Sequence, residues 1–420
     1  MGGTLASSYS YYPGGALATA TTNGIDGSFS FDEVGNLVRD IESDSGTRRF
    51  FYDAANRLTQ SDLDPGDGGA LATTYYGWDT VNAWRTSQGS QSDPAQRPVQ
   101  MTYTAQGRLA TYANTDTATS ATYTYDGSGQ RTKSVVTVGA TQTTTLFAYD
   151  GLTLLSLSAV QGSISWRIDY LYDEEGTPWG GVYRSPASST NPTYFTIVTS
   201  DRGDAVELCD ADGNPFAAYR CDAWGLPQGA GSYPIGVWTQ GTTLVNSTLA
   251  GQIASRQVLR YAGYAFDAES SLYYCSARYY DPATRQWTTG DPAKADGEES
   301  AYQYCGGEPV GNIDVGGTYP GPPHRPRTAL RLKAYIRARS LVGKDMRGAV
   351  TSWYGAARDS AWCAMAVTYI YKHVGSKAFD PAKKRWAYVP WIVRDAAPGK
   401  NLGLRLLTRS QARRPGRLRL

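Results

Sequence analysis

Short runs rich in Tyr, Thr and Val, such as Ala-Thr-Tyr-Thr-Tyr (121–125) and Arg-Thr-Lys-Ser-Val-Val-Thr-Val (131–138), flank polar, glycine-bearing breaks over most of the chain. That pattern predicts β-strands joined by tight turns. One frame recurs: Phe-Asp-Glu-Val-Gly-Asn-Leu from Phe31, Tyr-Asp-Ala-Ala-Asn-Arg-Leu from Tyr52, Tyr-Thr-Ala-Gln-Gly-Arg-Leu from Tyr103 and Tyr-Asp-Gly-Ser-Gly-Gln-Arg from Tyr125. Weaker copies begin at Trp78, Tyr149 and Tyr172, so that the copies follow one another at 21 to 26 residues. Each copy reads as a β-hairpin: an aromatic closes one strand, Asp caps the turn, Gly or Asn takes a left-handed position, and Leu or Arg opens the return strand. One hairpin cannot bury its own face, so successive copies are expected to lie side by side as one antiparallel sheet over about residues 20 to 317, with Tyr52, Tyr103, Tyr125, Leu37, Leu58 and Leu109 packed at the turns.

The pattern changes after Gly317. Residues 318–328 form a Pro-rich linker, and Leu330, Leu332, Tyr335 and Ile336 then fall at near-helical spacing. From Cys363, residues Ala366, Val367, Ile370 and Val374 recur on one helical face, which places the cysteine in the first turn of a helix ending near Gly375. A thiol there is acidified by the positive end of the helix.

Composition sharpens this picture in three respects. With 31 Tyr and 46 Gly against 4 Met, the chain is mainly β. A formal net charge of +2 gives no argument for nucleic acid or an anionic surface as the partner of the whole molecule, and none is expected, although the last sixteen residues carry six Arg (405, 409, 413, 414, 417 and 419) and no acid. Five cysteines (209, 221, 275, 305 and 363) without a C-x-x-C pair support neither a disulfide framework nor a metal site, and nothing points to a cofactor. Cys209 and Cys221 flank a turn but are not opposite one another, since a hairpin centred on Asp212 and Gly213 pairs Cys209 with Phe216. The first residues lack a Sec-type leader, and no window reaches the ~18 apolar residues of a membrane span.

The repeat frame resembles the YD repeats of the Rhs and wall-associated protein family. The resemblance extends through Val198–Pro215 and Tyr219–Gly225 into Gly-Tyr-Ala-Phe-Asp-Ala-Glu-Ser-Ser-Leu-Tyr-Tyr-Cys-Ser-Ala-Arg-Tyr-Tyr-Asp-Pro (263–282), Thr-Thr-Gly-Asp-Pro (288–292) and Ala-Tyr-Gln-Tyr-Cys-Gly-Gly-Glu-Pro-Val-Gly-Asn-Ile-Asp (301–314), which are similar to the Rhs-repeat-associated core. It implies YD-repeat antiparallel hairpins (1–180) and a core (181–317) forming part of a spiralling Rhs shell, with a variable toxin beyond the linker. In that family the junction ends in Asp-Pro-x-Gly-Leu and is cut after the Leu by carboxylates of the core. Asp291 and Asp314 are the matching candidates, able to share a proton if forced together or, alternatively, to cap turns. Here the stretch is Asp-Val-Gly-Gly-Thr (314–318), and with Val315 and Thr318 in place of Pro and Leu the chain is expected to stay intact. Arg278 could steer one carboxylate or stack on core tyrosines.

The segment Asp-Ser-Ala-Trp-Cys-Ala (359–364), with Val-Thr-Ser-Trp-Tyr-Gly upstream and Tyr-Val-Pro-Trp-Ile-Val-Arg-Asp-Ala downstream, resembles the cysteine helix of CHAP-type and NlpC/P60-like peptidoglycan amidases. The resemblance implies a small α+β, incomplete papain-like domain over 329–420 with Cys363 as nucleophile. A base is lacking. His373 lies about 15 Å along the same helix and ~80° away in azimuth, and His324 lies upstream in the linker. The Arg-rich ending is read as a truncation before the histidine-bearing strand, leaving the domain inactive. The implied partners are peptidoglycan and an immunity protein, at a secreted or cell-surface location. The competing reading is a non-catalytic surface or encapsulation module that contacts glycan or another protein.

Overall fold

The computed structural model describes residues 7–173, 176–228, 237–239, 247–291, 300–314 and 316–318. The expectations for the linker past Thr318, for the domain over 329–420 and for Cys363, His324 and His373 lie outside these residues.

The described residues are mainly β, in a 20-stranded antiparallel sheet and a second sheet of four strands. From Ser8–Tyr11 to Ile164–Tyr172, each strand of the large sheet pairs with the next in sequence, as do the strands from Pro178–Arg184 to Val237–Thr239. The sequence predicts one continuous sheet over 20–317, but the large sheet ends at Thr239. Past it come a helix, Ser247–Arg256, and the separate four-stranded sheet.

The hairpin chemistry is the expected one. In the copy at Phe31, the amide of Asp32 donates to the Asn36 carbonyl at 2.9 Å, and the Asp32 carboxylate accepts from the amides of Val34 (3.1 Å) and Asn36 (2.8 Å). Gly35 then takes φ 84°, and a bulge follows as the strands resume pairing. The same turn recurs at Asp53, Thr104, Asp126, Asp173, Ser200, Asp210 and Asp222. The copy expected at Tyr149 is different: Asp150 pairs directly with Thr153 across Gly151 and Leu152, because the return strand starts too early for a capped loop. A bulge also shifts the pairing at Cys209, which lies opposite Pro215 and not Phe216.

A second regularity ties neighbouring copies together. The Oη of Tyr52 donates to the carbonyl of Leu37, Trp78 Nε1 to Leu58, Tyr103 Oη to Arg85 and Tyr125 Oη to Leu109, each at 2.7 Å. The aromatic that opens one copy is thus latched to the residue that closes the copy before it. Burial pushes the Tyr103 phenol up to about 12 and raises Tyr52 and Tyr125 as well, so each remains a donor.

The small sheet comprises Ala265–Asp267, Leu272–Cys275, Arg278–Asp281 and Gln286–Trp287, and its two central strands are buried at every residue. Side chains of a strand alternate between faces. Tyr273, Cys275 and Tyr280 accordingly pack with Leu17, Phe29, Leu37, Phe50 and Leu58 of the first hairpins, whereas Leu272, Tyr274 and Tyr279 pack with Met101, Leu109, Tyr112 and Tyr123 of later ones. Two stretches of the large sheet therefore cover opposite faces of the small one. That explains the doubled tyrosines of Leu-Tyr-Tyr-Cys and Arg-Tyr-Tyr-Asp, which have no solvent side.

Candidate functional site

The core strand Arg278–Asp281 starts beside the end of the described chain. Arg278 and Cys275 face one another across the tight turn at Ser276 and Ala277, and the guanidinium lies 4.1 Å above the Trp287 ring. It stacks on tryptophan, then, and not on the tyrosines that the sequence suggested. Arg278 Nη2 donates to Asp291 Oδ2 at 3.0 Å and to Asp314 Oδ2 at 3.4 Å, with all three side chains at least 95 % buried. Asp291 is placed by its own amide, bonded to the Ala301 carbonyl at 3.0 Å. The amide of Asp314 donates to Tyr264 Oη at 2.6 Å, which is bonded in turn to Tyr304 Oη at 2.9 Å.

The junction itself is held at several points. Asp314 Oδ1 accepts the amide of Thr318 at 2.9 Å, Arg278 Nε donates to the Gly317 carbonyl, and the Gly316 carbonyl accepts from Ala277 at 3.1 Å. Gly317 takes φ 68°, and a Cβ there would lie 2.5 Å from the Cys275 carbonyl oxygen, so only glycine fits. Burial lowers Arg278 below its ordinary value, against the pull of Asp291 and Asp314. Burial, reinforced by the charge of Asp314, raises the neighbouring Cys275 thiol far above its usual range, which leaves it a small buried hydrophobe.

The structure thus brings Asp291, Asp314 and Arg278 together at residues 316–318, while Cys363 lies outside the described residues. Two carboxylates share a proton when their like charges are forced together without compensation. Here one guanidinium nitrogen is bonded to both, which offsets that repulsion. The arrangement as described is an ion-paired anchor.

Sequence reasoning did not find the other buried arginines that fasten the core to the large sheet. Arg85 and Arg131 stand where other copies of the frame carry Leu. Arg85 meets Asp281 at 2.8 Å, and Arg131 Nη2 meets Asp267 at 2.9 Å beneath the Tyr274 ring. Arg285 reaches Asp40, Glu42 and Asp222 at 2.6, 2.7 and 3.2 Å. An arginine in a leucine slot was the available signal for the first two. Among the described residues no group of three or more His, Cys, Asp or Glu is arranged to hold a metal ion, and no helix is long and apolar enough to cross a membrane.

No family model matches the sequence. The chain is 26% identical over 297 residues to a tRNA nuclease WapA of Bacillus subtilis, covering 68% of this chain and 12% of that protein. It is 26% identical over 351 residues to a double-stranded DNA deaminase toxin A of Burkholderia cenocepacia, covering 73% and 23%. A solved TcdB2-TccC3 structure without its hypervariable C-terminal region matches at 17% identity and a TM-score of 0.41, over 74% of this chain and 18% of that one. The chain spans less than a quarter of the length of each of these proteins. Together with the repeat frame, the two sequence relatives support a toxin-related chain of the Rhs/YD-repeat kind.

Proposed function

We propose that this chain is part of the β-shell of a Rhs-type toxin, whose core fills the inner side of the hairpin sheet and anchors the junction to a C-terminal cargo. The observation that carries the reading is the hold on residues 316–318. Both carbonyls of Gly316 and Gly317 and the amide of Thr318 are bound by core groups, and a buried Arg278 is shared by Asp291 and Asp314. Two relatives with unlike named activities each match about seven tenths of this chain, which fits one scaffold serving different cargoes. On this reading an immunity protein is the expected partner, and the molecule acts in a secreted or cell-surface setting.

Asp291 and Asp314 correspond to the carboxylates that would cut the junction in such a shell. With Arg278 bonded to both, and Val315 and Thr318 at the positions that resemble Pro and Leu, they serve as an anchor. Mass spectrometry of the purified 420-residue chain should therefore give one intact species, unchanged by Asp291→Asn. A fragment ending near residue 318 in the parent, missing from that variant, would show that the pair acts as a protease.

The cargo reading rests on sequence alone. The Trp362–Cys363 block supports an amidase-like domain directed at peptidoglycan, with Cys363 as its nucleophile and neither His373 nor His324 placed by the sequence to serve as base. A nucleophile without its base commonly loses about 10²–10⁴ in rate. Incubated with purified cell walls, the chain is expected to release no peptide above the Cys363→Ala background. Release that depends on Cys363 would contradict the missing base and establish the amidase.

A further inference from the structure

The Arg285 cluster holds more negative charge than its arginines offset. Arg285, fully buried, is ion-paired with Asp40 and Glu42 on the strand Leu37–Glu42 and with Asp222 in the turn before Leu226. From the adjoining strand, Arg48 lies 3.6 Å from Asp40 and donates to the Ala283 carbonyl at 3.1 Å. Three carboxylates thus face two guanidiniums. The remaining lone pairs are tightly placed: Asp222 Oδ1 accepts from the amides of Trp224 and Leu226, both at 2.8 Å, and Glu42 Oε2 accepts from Ser45 Oγ at 2.9 Å. Glu42 Oε1 and Asp222 Oδ2 converge on the same nitrogen, Arg285 Nη2, at 2.7 and 3.2 Å. Carboxyl groups crowded together with more negative charge than their arginines offset hold a proton between them.

We propose that Asp40, Glu42 and Asp222 around Arg285 form a proton-held clasp that fastens the core turn to the first hairpins and loosens when the shared proton is lost. The inference concerns the shell and does not depend on cutting at the junction. The other groups facing the cluster keep their protons: burial raises both the Cys221 thiol and the Tyr280 phenol, whose hydroxyl donates to the Trp224 carbonyl at 2.7 Å. The Phe29 ring closes the apolar side, 5.5 Å from the guanidinium carbon.

Burial, opposed by Arg285 and reinforced by the charge of Glu42, pushes Asp222 up to about 7. Burial likewise lifts Asp40 against Arg285 and Arg48, whereas Glu42, though its burial acts upward, is brought below its ordinary value by Arg285 and Ser45. A second place on the core is built alike. Glu269 accepts from Tyr123 Oη at 2.9 Å beside the Asp267–Arg131 pair, and burial followed by the charge of Asp267 pushes it up to about 7.

The sign follows from the protons bound. Above an unfolded value of about 4 the unfolded chain has released a proton that the folded chain keeps until about pH 7, so stability falls as pH rises through that window and levels beyond it. In Asp222→Asn the amide oxygen can still accept from Trp224 and Leu226 and the position no longer titrates, while its NH₂ cannot accept from Arg285 Nη2 as Asp222 Oδ2 does.

The test is the urea midpoint of the full chain from about pH 5 to about pH 8. In the parent it should fall by several tenths of a molar up to about pH 7 and then level, in Asp222→Asn by about half as much, and in Asp222→Asn with Glu269→Gln hardly at all. In Glu269→Gln, which removes the second raised acid, the infrared band of a protonated carboxyl group should persist at about pH 6, where exposed acids have lost theirs, and disappear as the pH passes about 7. Parallel midpoint curves for parent and Asp222→Asn, or no such band at about pH 6, would overturn the clasp. The infrared reading decides the matter if Asp222→Asn does not fold.

Discussion

Arg285→Met is expected to lower the unfolding free energy of the chain by about 3–5 kcal/mol at neutral pH, a cost typical of removing one partner from a buried ion pair. The guanidinium is fully buried among Asp40, Glu42 and Asp222. Methionine keeps most of the volume. The backbone at this position sits at φ 60°, which strains methionine and arginine equally, so the change isolates charge from conformation. The three acids are left either ionised and unpaired or protonated at the expense of their hydrogen bonds. Because protonation becomes cheaper in acid, the loss should shrink between about pH 7 and pH 5. Denaturant unfolding at the two pH values measures both effects, with Arg39→Met, an exposed arginine on the same strand as Asp40, as the control. A loss below about 1 kcal/mol at neutral pH would mean that packing alone seats the core.

Leu58→Ala should cost about 2–5 kcal/mol, the range for deleting a buried leucine side chain and leaving a partly collapsed cavity. Leu58 is 1 % exposed within the cluster that joins Leu37 and Tyr76 of the hairpins to Tyr280 and Trp287 of the core. Its carbonyl, which accepts from Trp78, is untouched by the substitution, so the latch between copies survives and the loss reports packing. Leu71→Ala, at a residue 54 % exposed, should fall within about 0.5 kcal/mol of the parent. Equal losses at the two positions would refute the assignment of the seventh position of each copy to the core.

What the sequence disclosed and what it hid follow from distance along the chain. The capped turns at Asp32, Asp53 and Asp126 were legible because donor, acceptor and the left-handed Gly or Asn lie within four residues of one another. The aromatic latches were not, since nothing local tells a tyrosine or tryptophan that its O–H or N–H will meet a carbonyl 15 to 20 residues earlier. Asp291, Asp314 and Arg278 were reached through resemblance, and the structure added what resemblance could not, namely one nitrogen shared by both acids. Asp40, Glu42, Asp222 and Arg285 sat in turns and strands where an exposed charge would be unremarked. Only the fold makes them neighbours. The end of the large sheet at Thr239 was hidden for a related reason: core strands buried on both faces carry the same tyrosine-rich composition as hairpin strands buried on one.

The latches between copies also set the order in which the molecule can be assembled. Their partners are close in sequence, so the hairpin sheet closes small loops one after another and can form from its first strand while the chain is still being made. The core's ties to that sheet span far more chain: 243 residues from Glu42 to Arg285, 136 from Arg131 to Asp267 and 268 from Gly35 to Gln303. Loop-closure entropy grows only slowly with such spans, yet these contacts cannot begin until the core segment has emerged. A nascent chain halted near residue 240 would present a sheet with its inner apolar face bare, the species from which self-association should start.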